Sequence, residues 1–138
     1  MKNQVNKKEE AQKFVLYDAN GQILGRMATE IAGVLSGKNE VDYNPRIGGK
    51  DWVIVINSDK IRLSGEKEKK KQYWRHSGYP GGIYVRNFKE MKEKDSREII
   101  VKAVKGMLPK NKLGKEALKR LRVFKDQEHP YKDKVVKA

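Results

Sequence analysis

Apolar positions along this chain switch between strand-like and helix-like spacing, and the switches mark out its elements. Phe14 to Tyr17 is a short apolar run closed by Asp18, Asn20 and Gly21, the composition of a strand that stops at a turn. Beyond it, Leu24, Met27, Ala28, Ile31, Ala32 and Leu35 recur three and four residues apart. This predicts a helix with Arg26, Thr29, Glu30 and Gly33 on its other faces and Gly37 at its end. Trp52 to Ile56 is a continuous, largely β-branched run of the kind buried on both faces of a sheet. Strand, helix and buried strand make a βαβ unit, whose right-handed crossover renders the strands parallel. The intervening DYNPRIGGKD reads as a loop.

Downstream the pattern changes. Ile61 to Leu63 is expected to add a short strand, and from Glu66 to Arg86 aromatic residues alternate with charge. That predicts an ordered, exposed loop or ribbon, since HSGYPGG excludes a long helix. Asp95-Ser96-Arg97-Glu98 resembles a helix start, followed by the stripe Ile99, Ile100, Ala103, Val104 and Met107, with Gly106 and Pro109 as stops. Leu113, Ala117, Leu118 and Leu121 predict a second short helix, and Arg122 to Phe124 a strand returning to the sheet.

At 138 residues the chain is expected to form one α/β domain over residues 13–138, behind a polar tail at 1–12 read as disordered. Leu, Ile, Val and Phe total 32 residues, just above the roughly 20% below which a highly charged chain stays unfolded. Cysteine is absent, which removes disulfide frameworks, thiol catalysis and thiolate metal sites. No apolar run approaches the roughly 20 residues of a membrane span, and the front segment lacks the features of a secretory or organellar leader. A cytoplasmic protein is the expectation.

The net charge of +14 is unevenly placed. Met1 to Asp59 carries eight basic and eight acidic residues, whereas Lys60 to Lys94 has eleven against four and Met107 to Ala138 ten against four. A neutral scaffold followed by two basic segments is the asymmetry of a nucleic-acid binder; solvated lysines that serve solubility are the plainer alternative.

Small-molecule chemistry finds little support. Gly33 to Asn39 has three residues between its glycines where a phosphate loop needs four, and it ends a helix instead of opening one, so it reads as a helix cap. Gly21 and Gly25 lack the paired glycines of a dinucleotide fingerprint. His76 and Ser77 have no nucleophile elbow, and two histidines without cysteine make a zinc site improbable. Asp18 and Asp59, each just past an expected strand, are the best acid/base pair, although turn and cap chemistry explains both.

Two segments stand out for RNA. In the first, Lys69, Lys70, Lys71 and Arg75 bring cations for phosphates, and Tyr73, Trp74 and Tyr79 bring flat surfaces for unstacked bases. His76, Ser77, Gly78, Pro80, Gly81 and Gly82 form its turn, and Arg86 follows. The second, Lys105 to Lys125, carries Lys105, Lys110, Lys112, Lys115, Lys119, Arg120, Arg122 and Lys125 around a thin apolar stripe, with Lys112, Lys115 and Lys119 on one helical face. Asn111 either caps the helix or meets a phosphate.

Five strings resemble one family: DANGQILGRMATEIAGVLSGK (Asp18 to Lys38), WVIVINSDKIRLSGEK (Trp52 to Lys67), RHSGYPGG (Arg75 to Gly82), AVKGMLPKNKLG (Ala103 to Gly114) and EHP (Glu128 to Pro130). Together, spread over Phe14 to Pro130, they are similar to the bacterial-type large-ribosomal-subunit protein thirteen family. The chain departs from the family pattern at Phe14 (usually Trp), at Ser64 (usually Thr), at Asp95-Ser96 (often Pro) and in its ending after Pro130. The resemblance implies a three-layer α/β/α sandwich with a mainly parallel four-stranded sheet. It further implies a non-catalytic protein that binds large-subunit ribosomal RNA early in assembly, beside neighbouring ribosomal proteins, with RNA contacts on RHSGYPGG and the Lys105 to Arg122 region. No cofactor, metal, membrane or small-molecule substrate is expected. Two other readings stand beside it: a nucleotide-dependent α/β enzyme using Asp18 and Asp59, and a basic regulator of messenger or transfer RNA.

Overall fold

The computed structural model describes residues 12–137. All of the expected polar tail except Gln12 lies outside the described residues. The first βαβ unit forms as its spacing dictates, from β1 (Phe14–Asp18), α1 (Leu24–Ser36) and β2 (Trp52–Ile56), with β1 and β2 parallel from Phe14↔Trp52 to Asp18↔Ile56. The six stripe residues of α1 are its buried ones. Gly37 ends the helix at φ 75°, its N–H donating to the Val34 carbonyl and that of Lys38 to Gly33, both at 3.0 Å. A Cβ on Gly37 would lie 2.8 Å from the Gly49 Cα, so the Gly48-Gly49 loop meets the helix end backbone to backbone.

The sheet is completed from the far end of the chain. It runs β5 (Leu121–Val123), β2, β1, β6 (Val135–Lys137), and every pairing is parallel. Between β2 and β5 come a short helix α2 (Lys67–Lys70), an antiparallel ribbon of β3 (Gln72–His76) and β4 (Ile83–Asn87), and the helices α3 (Phe88–Met107) and α4 (Lys112–Lys119).

One core joins α1, α3 and α4 to a single face of the sheet. Val53 and Val55 belong to it with Ile31, Leu35, Ile99 and Ile100, while Ile54 and Ile56 are buried outside it. Strand alternation therefore turns Val53 and Val55 to the helices and Ile54 to the opposite side. The third layer of this α/β sandwich is thin, because the C-terminal segment with a 3₁₀ turn at Lys132–Lys134 supplies it. There Tyr131 stacks on Phe14 at 5.8 Å, Phe14 stacks on Trp52 at 5.7 Å, and Phe124 lies 6.0 Å from His129.

Three expectations shift. Ile61 to Leu63 is not a strand: a 3₁₀ turn at Ser58–Lys60 delivers Ile61 into the core, and only an isolated bridge joins Ile23 to Arg62. The returning strand begins one residue early, at Leu121, although Phe124 still donates to the Val55 carbonyl at 2.8 Å. Finally, α3 starts at Phe88 and is interrupted at Asp95 (φ −156°, ψ 101°). Asp95 caps the second half of the helix by accepting the Arg97 N–H at 3.1 Å.

Candidate nucleic-acid interface

The carboxyl edge of a parallel sheet is where α/β proteins usually hold small ligands. Here it is closed by its own polar groups. Asn57, left-handed at φ 56°, donates Nδ2 to the Asp18 carboxylate at 2.9 Å. Ser96 donates to Asp59 and lies 2.8 Å from the buried Ser58 hydroxyl. Both aspartates of the enzyme reading thus serve turn and helix packing. Among the described residues no cluster of His, Cys, Asp or Glu could hold a metal, and no helix is long and apolar enough to cross a membrane.

The ribbon is built differently. Of its ten strand residues only Tyr73 is even half-buried. Its register sets Tyr73 opposite Arg86 and Arg75 opposite Tyr84 on one face, with Trp74 opposite Val85 and His76 opposite Ile83 on the other. The first face is cationic and aromatic; the second carries Trp74, Val85 and Ile83 between the polar Gln72–Asn87 pair and His76. Ser77 and Gly82 close the end of the ribbon, Ser77 N–H donating to the Gly82 carbonyl at 2.9 Å. Gly78 and Gly81 turn the chain at φ 87° and 72°. Gly78 N–H also donates to His76 Nδ1 at 2.9 Å, leaving Tyr79 and Pro80 outermost, with Tyr79 77% exposed.

Tyr73 anchors this face to the body of the protein. The Lys71 and Lys102 ammonium groups lie 5.5 Å and 5.4 Å from its ring, and burial pushes its phenol above the usual range. Between ribbon and α3 opens a cleft of about 650 Å³ lined by Tyr73, Arg75, Tyr84, Arg86, Lys94 and Lys102, with Glu98 the one acid on its wall. A cavity of about 670 Å³ elsewhere is lined by Glu40, Asp42 and Asp51 beside Lys13 and Lys50. Charge therefore separates two spaces that volume does not.

The second basic segment surrounds the elbow between α3 and α4. Asn111 caps α4, its Oδ1 accepting the Gly114 N–H at 2.9 Å. A Cβ on Gly114 would sit 1.8 Å from the Pro109 carbonyl oxygen, so the tight elbow requires glycine. Lys102, Lys105, Lys110 and Lys115 ring a cavity of about 400 Å³ there, over Leu108, Pro109 and Leu118. Lys112 and Lys119 are exposed on α4, on the same helical face as Lys115. Lys102 lines both the ribbon cleft and the elbow, so the two segments isolated by charge meet along α3.

Some candidate residues lie elsewhere. Arg120 directs its guanidinium inward, donating to the Leu35 carbonyl at 2.8 Å and the Asp51 carbonyl at 3.0 Å; burial lowers its pKa. Arg122 pairs in register with Ile54, which turns it to the thin-layer side of the sheet, 5.6 Å over the Trp52 ring. Lys69 and Lys70 stand exposed on α2, with Lys70 2.6 Å from Glu66. Lys94, Lys102 and Tyr84 line the cleft without having been singled out. The spacing of Glu98, Lys102 and Lys105, four and then three residues, was the available sign of a shared helical face.

The comparisons converge. The family described as Ribosomal protein L13 matches residues 12–130. Large ribosomal subunit protein uL13 of Syntrophotalea carbinolica is 48% identical over 95% of this chain and 93% of its own length. The proteins of the same name from Synechococcus sp. strain CC9311 and Laribacter hongkongensis are 49% and 45% identical, over 86% and 91% of this chain and 79% and 88% of their own. With a parallel α/β sheet whose ligand edge is closed and whose charge lies on a ribbon and an elbow, the chain belongs to the ribosomal protein L13 family, structural and non-enzymatic constituents of the large ribosomal subunit.

Proposed function

We propose that this chain binds folded large-subunit ribosomal RNA through the ribbon cleft and the α3–α4 elbow, and supports early assembly of the subunit in the cytoplasm. The observation that carries this reading is the ribbon. A two-stranded ribbon exposed on both faces has little to stabilise it alone. It nevertheless displays Arg75 and Arg86 beside the exposed Tyr84 on one face, cations for phosphates next to a ring for a base. Trp74, Ile83 and Val85, 68%, 57% and 40% exposed, form the opposite face. That face lacks lysine and arginine and is suited to a neighbouring ribosomal protein.

Charge reversal tests the assignment. Arg75→Glu with Arg86→Glu should weaken binding to large-subunit RNA by at least a hundredfold. Lys38→Glu with Lys60→Glu, which changes net charge equally, should weaken it only severalfold. Equal losses would refute the interface. Reconstitution with the Arg75/Arg86 double variant should stall before later proteins join; normal incorporation would remove the assembly role.

A further inference from the structure

We propose that the α3–α4 elbow receives one unstacked nucleotide of the bound RNA, its base on the aliphatic floor and its flanking phosphates on the lysine rim. This rests on the RNA reading above and specifies what the elbow takes. The cavity of about 400 Å³ falls within the range of small-ligand sites. Its lining is mostly apolar, with Leu108, Pro109 and Leu118 inside, and the charges around it are all ammonium groups. Contact with duplex phosphates needs no apolar floor. A paired base keeps both faces stacked, so only a base splayed out of its helix can enter such a space.

Gly106 provides a separate line of argument. It lies in the last turn of α3, at the cavity. Gly114 across the elbow has a steric reason within the chain; Gly106 has none, since a Cβ there meets nothing within 4 Å. The mouth of the cavity is therefore open at Gly106, and a large side chain placed there would cover it without meeting the chain's own atoms at Cβ.

The test compares Gly106→Ala and Gly106→Trp. Both should fold, as read by urea melts, with Gly106→Ala at least as stable as the parent. Gly106→Ala should bind full-length large-subunit RNA within twofold of the parent. Gly106→Trp should bind at least tenfold more weakly with an unchanged salt slope, because no phosphate contact is removed; Lys105→Gln should reduce that slope by about one. Should Gly106→Trp fail to fold, ultraviolet crosslinking of the parent complex should join a single unpaired nucleotide to the 105–115 segment. Full affinity in a folded Gly106→Trp variant, or crosslinks only to paired bases, would overturn the proposal while leaving the RNA reading intact. A parent that does not bind the RNA would remove both. One further outcome would also overturn it: a Leu-containing oligoglutamate peptide competing for the elbow while RNA binding persists.

Discussion

Side chains that carry charge in this protein divide into those facing solvent and those consumed by the fold. Arg120 belongs to the second group, reaching the main chain at Leu35 and Asp51. Arg120→Met preserves the stem but leaves those carbonyls without their donors, which should destabilise the protein by about 1–3 kcal/mol in urea titrations. The same variant should leave the salt slope of RNA binding unchanged. Gly114→Ala should lower stability by at least about 2 kcal/mol, since its Cβ would collide with main chain that cannot rotate away. At Asp95, hydrogen bonds from the Arg97 side chain are the largest influence and hold the carboxyl below its usual range. A depressed carboxylate contributes stability above its unfolded value near 3.9, and that contribution disappears as pH falls through the folded value. Asp95→Asn should therefore be less stable than the parent near neutrality and converge with it in acid, as followed by pH-dependent urea melts.

At the scale of elements, the ribbon and the sheet differ in what holds them. Amides of β3 and β4 should exchange with deuterium much faster than those of β1 and β2, and should gain protection when RNA binds. Slow exchange in the free ribbon would show that it needs no partner. The same contrast explains what was legible beforehand. The stripe of α1 and the run of β2 were readable because each buries a whole face against one core. The first half of α3 has only Phe88 and Met91 buried amid Lys and Glu, too few positions to reveal a period. The short strand β6 acquires its identity from pairing with β1 and carries no pattern of its own. Likewise, the thin layer joins Phe124, His129 and Tyr131 to Phe14 and Trp52, distant residues with no shared spacing. Charge counting sets off Lys60 to Lys94 and Met107 to Ala138; Lys102 falls in the nearly neutral stretch between them, and Lys94, inside the first, has no aromatic or glycine neighbour to single it out.

For the molecule as a whole, the first part of the sequence is neutral and the net charge lies in the remainder, although that remainder also completes the core and the sheet. If the ribbon and elbow together engage about six to ten phosphates, affinity should fall by about a thousandfold or more between 50 and 200 mM salt, taking duplex values as the guide. Filter binding across that range checks it, and a flat response would contradict a phosphate-based grip. The order of the sheet has a further effect during synthesis. Phe14 acquires one neighbour at Trp52 and the other only at Val135, after ribbon and elbow have been made. A growing polypeptide thus displays a bare parallel edge on β1 while the ribbon and elbow are being made. The pace of translation through the intervening helices sets how long that adhesive border stays open to the wrong strand.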